Sequence, residues 1–309
     1  MPLNRYEFEI LTHIEREGRQ PYPVRETADD LCLSGTAVMR GLEALKTAGY
    51  ITDKDDRLLI TDEGLEALEP YRVRRAIILA AGFGSRMMPA TADRPKPMVT
   101  VNGVRIIDTL LDALDNAGIR DITIIGGYCF NRLSELLEKY PYLTLRKNRE
   151  YDTTNNISSA MLALDRLQGG SYLCEADLFI TNPGIINKYQ YGSNILGSYS
   201  METDDWCFDM TDGCVSNYRK GGVYCYNYYG ISYWSAEDCD RLREDFRAVY
   251  EGPEGRGYFW EFIPFVLRKD RYNVEIRPCR KQDIMEIDNY YELAQLDPGY
   301  KEGEDHEVL

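Results

Sequence analysis

The chain has 309 residues, 44% of them hydrophobic, and carries a formal net charge of −15. That length suits two domains better than one. The apolar content excludes a disordered chain, and the acidity argues against a general nucleic-acid binder, which would be basic. The only histidines, His13 and His306, lie near opposite termini, and the cysteines at 32, 129, 174, 207, 214, 225, 239 and 279 include no CxxC pair. Zinc sites and Ser-His-Asp or Cys-His catalysis are therefore poor readings. The start, MPLNRYEFEI, has no basic run leading into an apolar stretch, and no segment approaches a membrane span. The expectation is a cytoplasmic protein whose cysteines are free thiols, mostly buried.

Residues 1–72 read as a winged helix. Phe8, Ile10, Leu11 and Ile14 recur at helical spacing. A second helix fits Arg25–Leu31. Ser34 is placed to cap a third over Thr36–Ala48, which Gly49 ends. Tyr50–Thr52 and Arg57–Ile60 read as wing strands around Asp53-Lys54-Asp55-Asp56, and Thr61-Asp62-Glu63-Gly64-Leu65 opens a last helix. The segment LKTAGYITDKDDRLLITDEGLEAL resembles the winged-helix domains of MarR-type regulators. DNA binding would follow from that resemblance, but the segment has a net charge of −6 and offers few cations to phosphates. A scaffold or dimerisation module that kept the fold is the favoured alternative.

Beyond Arg72, Arg74 and Arg75 the pattern alternates between strands and helices. Ala76–Leu79, Asp121–Ile125, Leu143–Arg146 and Tyr172–Ala176 read as strands; Val104–Ala117, Arg132–Lys139 and Ile157–Arg166 read as helices. Asp212-Gly213 reads as a hairpin turn. The fold class is α/β, a mostly parallel sheet with helices on both faces over 73–309. The last residues, Lys301–Leu309, read as a frayed acidic tail. Ligands in such sheets bind beyond the carboxyl ends of the strands.

The strongest signal lies there: Leu79-Ala80-Ala81-Gly82-Phe83-Gly84-Ser85-Arg86-Met87-Met88-Pro89, then Arg94-Pro95-Lys96-Pro97-Met98. Small residues after a buried strand let backbone N–H groups approach a triphosphate. Arg86 and Lys96 add fixed positive charge where a transferring phosphoryl group needs it. A dinucleotide GxGxxG fails at Met87, and no Walker A Gly-Lys-Ser/Thr occurs. Further on, Asp177 closes a strand, and Asp288 ends a later one with Glu286 on the same face. Two hard carboxylates at a phosphate site suit Mg²⁺; the less favoured alternative is that each caps a following helix, Asp288 that of Tyr290–Leu296. Asn155 and Asn156 either cap the helix from Ile157 or present amides to a base.

LAAGFGSRMMPATADRPKPMVTV resembles the signature of the sugar-phosphate nucleotidyltransferase superfamily, LAAGxGSRxxPxTxxxPKxxxxV, with Ala90 where Leu is usual. The resemblance extends loosely over 73–296. Four later segments are similar to bacterial CTP:phosphocholine cytidylyltransferases: Tyr151–Ser159 around Asn155-Asn156-Ile157, Glu175-Ala176-Asp177, Gly230–Ser235, and Ile284–Asp288. This resemblance implies a Rossmann-like nucleotidyltransferase sheet behind the winged helix. It implies nucleotide contacts from Leu79, Ala80, Ala81, Gly82, Gly84, Ser85, Asn156 and Ser158, catalysis by Arg86 and Lys96, and metal on Asp177 and Asp288. Lys220 resembles a lysine that meets the substrate phosphate; a solvated surface lysine is the equal alternative.

The resemblance implies transfer of the cytidylyl group of CTP to phosphocholine. The acceptor's phosphate oxygen would attack the α-phosphorus and pyrophosphate would leave. That nucleophile is already anionic, so no general base is required. Aromatics crowd the second half, and a quaternary ammonium is recognised by aromatic faces beside carboxylates. Trp206 with Asp209, and Tyr258 with Glu261, are the candidate cage, with Glu286 nearby; packing is the ordinary role of any one such aromatic. Transfer to 2-aminoethylphosphonate or phosphoethanolamine is the runner-up, a sugar-1-phosphate acceptor comes third, and a nucleotide-sensing regulator is the reading from another class. The expected partners are CTP and an amine phosphate or phosphonate, with no DNA or membrane; a homodimer is an admissible assembly.

Overall fold

The structure is a computed structural model, and it describes residues 2–17, 24–54 and 57–301. Two residues of the expected wing tip, 55 and 56, and residues 302–309 of the expected tail lie outside the described residues. The chain divides into two compact units, Met1–Arg72 with Tyr189–Tyr191, and Val73–Lys188 with Gly192–Leu309.

The first unit holds helices α1 (Arg5–Glu17), α2 (Val24–Asp30) and α3 (Gly35–Thr47), a hairpin of β1 (Ile51–Lys54) and β2 (Arg57–Ile60), and α4 (Asp62–Leu68). Ser34 caps α3 by accepting from the Ala37 N–H, and Thr61 caps α4 through the Gly64 N–H. The apolar stripe of α1, Phe8, Ile10, Leu11 and Ile14, closes on Val38, Leu42 and Leu45 of α3. Tyr189 belongs to the same core, and the ring of Tyr191 stacks on Tyr71 at 5.6 Å.

The second unit is built on a seven-stranded sheet. Its strands are β3 (Arg75–Ala80), β6 (Asp121–Gly126), β7 (Thr144–Lys147), β8 (Ser171–Glu175), β10 (Asn194–Thr211), β11 (Cys214–Trp234) and β12 (Glu275–Pro278), in the order β10-β12-β11-β8-β3-β6-β7. Small ladders add β4 (Thr100–Val101) with β5 (Val104–Arg105), and β9 (Leu178–Ile180) with β13 (Ile284–Glu286). Strands β8, β3, β6 and β7 run parallel, whereas β11 enters antiparallel to β8.

Alternate residues of β3 sort to the two faces. Ala76, Ile78 and Ala80 pack under α5 (Ile106–Asn116), while Ile77 and Leu79 meet α6 (Ile157–Leu162) and α7 (Ala236–Tyr250). The expected helix at 132–139 is instead a 3₁₀ run, Phe130–Glu138, and the one from Ile157 breaks after Leu162 into a 3₁₀ turn, Leu164–Arg166.

The long strands β10 and β11 fold back on themselves: Cys207 and Phe208 pair with Arg219 and Tyr218 and also with Asn227 and Tyr226. Asp212 and Gly213 join the two strands, both with positive φ, as a two-residue hairpin turn demands, and this turn returns to the sheet, where the Ile276 N–H of β12 donates to the Gly213 carbonyl at 2.9 Å. All eight cysteines are free; 174, 207, 225 and 239 are buried, while 32 is exposed. Among the described residues no helix is long and apolar enough to cross a membrane.

Candidate active site

The β3 strand delivers Leu79 and Ala80 into the loop Ala81–Arg86 at the sheet's carboxyl edge. Gly84 turns that loop at φ 62°, and a Cβ there would lie 2.9 Å from the Cβ of Lys96. Only glycine permits both the left-handed backbone and the close approach. The Thr91 hydroxyl donates to the Gly84 carbonyl at 2.9 Å, tying the loop to the segment that carries Lys96.

Lys96 is 8% exposed, and its ammonium donates to Asp177 Oδ2 at 2.9 Å and to Asp288 Oδ1 at 3.3 Å. Burial alone would depress this ammonium; Asp177 and Asp288 outweigh it and hold its pKa above the ordinary lysine value. Arg86 grips Asp288 with two bonds of 3.0 Å each, the planar fork-on-carboxylate geometry that lysine cannot make. Asn289, not Asp288, caps helix α8 (Tyr290–Leu296), accepting from the Glu292 N–H at 3.0 Å. Asp288 is therefore spared from capping and faces the two cations.

Asp177, Glu286 and Asp288 each bring a carboxylate oxygen within 4.8 Å of the others. This set of hard oxygens fits a divalent cation such as Mg²⁺. Burial, with Asp177, Asp288 and Asp205 nearby, pushes the Glu286 carboxyl up to about 9.

The other expected contacts divide. Ser85 and Arg86 are exposed on the loop. Ser158 is buried, bonded to the Asn155 carbonyl and to Asn148 and Thr154. Asn156 makes no capping bond to α6; its amide oxygen accepts from the Trp260 N–H at 2.8 Å, and its NH₂ reaches Glu175 and Glu261. Trp206 stacks on Tyr218 at 4.7 Å with Phe262 at its edge. Asp209 takes two bonds from the Arg219 guanidinium, 2.7 and 3.1 Å, which holds its carboxyl below the usual range. Tyr218 and Arg219 are neighbours on one strand and point to opposite faces, so Trp206 and Asp209 do not share one wall. Tyr258 stacks on Phe262 at 6.3 Å. Glu261, 3% exposed, accepts from the Tyr228 hydroxyl at 2.9 Å. Lys220 is exposed, opposite Trp206 in the β10–β11 ladder.

Sequence reasoning assigned no role to Glu175. Burial and the neighbouring Glu261 carboxylate raise its pKa, and it accepts from the Trp260 indole at 3.2 Å. Its spacing of two from Asp177 was the available signal. Nor did it assign one to Phe83, whose exposed ring lies 5.1 Å from that of Tyr151 and 5.6 Å from that of Tyr128. Those contacts join segments far apart in the chain, and nothing in their spacing announces them.

The family model described as Nucleotidyl transferase matches residues 75–167. The chain is 39% identical over 230 residues to 2-aminoethylphosphonate cytidylyltransferase of Lancefieldella rimae, covering 73% of this chain and 92% of that one. It is 27% identical to choline-phosphate cytidylyltransferase of Haemophilus influenzae, over 71% of this chain and 96% of that one. Among solved structures, CTP:phosphocholine cytidylyltransferase from Streptococcus pneumoniae superposes with a TM-score of 0.68 at 28% identity, covering 74% of this chain and 98% of the other.

Proposed function

We propose that this chain, which belongs to the nucleotidyltransferase family and within it to the cytidylyltransferases, moves the cytidylyl group of CTP onto a small phosphonate or phosphate bearing a primary amine, 2-aminoethylphosphonate being the type. The observation that carries the reaction is Lys96 seated between Asp177 and Asp288 at the mouth of the glycine loop. The acceptor follows from the relative matched at 39% identity over nearly its whole length, against 27% and 28% for the choline-phosphate enzymes.

In this reading the N–H groups of Ala81–Ser85 cradle the triphosphate. Arg86 and Lys96 neutralise charge that builds on the α-phosphoryl oxygens as the acceptor oxygen attacks in line. The acceptor's phosphonate oxygen is its own nucleophile, so the absence of a histidine among the groups brought together at this site is no obstacle. Asp177, Asp288 and Glu286 would hold Mg²⁺, which supplies Lewis-acid stabilisation of the phosphoryl charge and of the leaving pyrophosphate.

Phosphocholine remains the second reading, favoured by the superposition on the pneumococcal enzyme and by Trp206. For the first unit we favour a winged helix that does not read DNA, given its net charge of −6. The test is pyrophosphate release with each of the four NTPs against 2-aminoethylphosphonate, phosphoethanolamine, phosphocholine and a sugar 1-phosphate. CTP with a primary-amine acceptor should give the highest kcat/KM. Preference for phosphocholine would replace this acceptor with the second reading, and preference for a sugar phosphate would end both.

A further inference from the structure

The stretch that carries the chain from Arg86 to Lys96 has little regular structure of its own. Residues 88–95 form turns and bends only, and Met88, Pro89, Ala92 and Asp93 are exposed. It is held instead from the neighbouring segment. β6 ends at Gly126, and a Cβ on the following Gly127 would lie 2.6 Å from the Ala81 carbonyl oxygen. Glycine lets the end of β6 press against the start of the glycine loop. The next residue, Tyr128, donates its N–H to the Ala81 carbonyl at 3.2 Å, and its ring lies 5.6 Å from that of Phe83. Its hydroxyl reaches the other limb and is shared between the Thr91 and Ala92 carbonyls, each at 3.0 Å. From the same segment, Arg132 donates to the Asp93 carbonyl at 3.1 Å and to its carboxylate at 2.9 Å.

Tyr128 therefore touches both limbs of the site: the glycine loop at Ala81 and Phe83, and the Thr91–Ala92 stretch that leads into Lys96. The Thr91 hydroxyl completes the frame by donating to the Gly84 carbonyl. Asp177 and Asp288 aim the Lys96 ammonium, but the backbone that carries it depends on the exposed stretch before it. A displacement of about 1 Å at a catalytic group can cost roughly 10²-fold in rate. We propose that Tyr128 is a positioning residue for the reaction. Its hydroxyl sets the distance between the glycine loop and Lys96, and it acts on turnover through Lys96 without touching substrate. The inference rests on the role given to Lys96 above and goes further by naming what places it. A hydrogen bond that served stability alone would lower the melting temperature, and its effect on turnover would not depend on Lys96.

The experiment is a double-mutant cycle on the full chain: wild type, Tyr128→Phe, Lys96→Ala and the pair. Turnover is measured with whichever NTP and acceptor the wild type uses best. Phenylalanine keeps the ring against Phe83 and the backbone bond to Ala81, and removes only the hydroxyl. Thermal melts confirm that each protein is folded, and kcat is read well below the melting temperature. Tyr128→Phe should lower kcat about 3- to 10-fold, with KM for the NTP moved less than about twofold. In the Lys96→Ala background the same substitution should change turnover by less than about 1.5-fold, because the residue it acts through is gone. A wild-type kcat in Tyr128→Phe overturns the proposal while leaving Lys96 in the mechanism. An equal loss in both backgrounds does the same, since it marks an effect independent of Lys96. A Lys96→Ala enzyme that turns over normally overturns the reading of Lys96 and this positioning role together.

Discussion

The ammonium of Lys96 lies 2.9 Å from Asp177 Oδ2, although 81 residues separate them in the chain. One residue follows the glycine loop beyond β3 and the other follows β8, and these two strands are parallel neighbours in the sheet. In the proposed reaction, the pairing would hold a cation and an anion where charge must be balanced during phosphoryl transfer. Lys96→Ala and Asp177→Ala should each lower turnover by at least roughly 10²-fold, about 3 kcal/mol of transition-state stabilisation, while KM for the acceptor moves little. Single-turnover kinetics on folded variants check this. Near-normal turnover in either would remove that residue from the mechanism.

Metal binding should depend on pH through Glu286. Its folded-state pKa of about 9, against an ordinary 4.5, means that it holds a proton at neutral pH. A divalent cation must displace that proton, so affinity should rise as pH goes from 7 toward 9, by up to about tenfold per unit for one proton released. The sign for stability is the opposite without metal. A raised carboxyl favours the folded state at low pH and costs stability as pH climbs from about 4.5 through about 9. The gain in Tm on adding Mg²⁺ should therefore be larger at pH 9 than at pH 7. An equal gain at both would show that Glu286 neither ligates the cation nor titrates as its surroundings dictate.

Asp209 and Trp206 should respond differently to substitution, although both were candidates for one cage. The Asp209 carboxylate is spent on Arg219, with each side chain about one-third exposed. Asp209→Asn should cost at most about 1 kcal/mol of stability and leave acceptor preference unchanged. Trp206→Ala strips the stack on Tyr218 and the edge contact with Phe262, and should cost more, about 2 to 3 kcal/mol. Urea titrations with parallel acceptor assays distinguish the two. A change of acceptor preference in Asp209→Asn would return that carboxylate to the amine site.

Removing residues 1–72 should leave the chemistry intact but expose apolar surface. Every group assigned to the reaction lies beyond Arg75, whereas Tyr189 packs into the core formed by the removed segment and is only 6% exposed in the whole chain. The truncated protein should aggregate more readily, and Tyr189→Ser with Tyr191→Ser should restore solubility with turnover near that of the full chain. A soluble, folded and inactive truncation would show that the first unit contributes to the site.

Local signals in the sequence were enough for the loop, the turns and most of the sheet. Small residues after a buried strand, Ser34 and Thr61 before helices, and Asp212-Gly213 between alternating runs each act over three or four residues, so their meaning survives without tertiary context. Sheet order, the antiparallel entry of β11 and the lodging of Tyr189 with the first unit depend on contacts between distant segments, which no local pattern encodes. The acceptor side shows the same division. Trp206, Asp209, Glu261 and Glu286 could be named from the sequence as chemically apt. Whether each faces a ligand was decided by its partners: Arg219 took Asp209, Tyr228 and Asn156 took Glu261, and Asn289 relieved Asp288 of its capping role. A polar side chain buried in a low-dielectric interior must satisfy its hydrogen bonds somewhere. Only the folded chain determines which groups are spent on the protein and which remain for substrate.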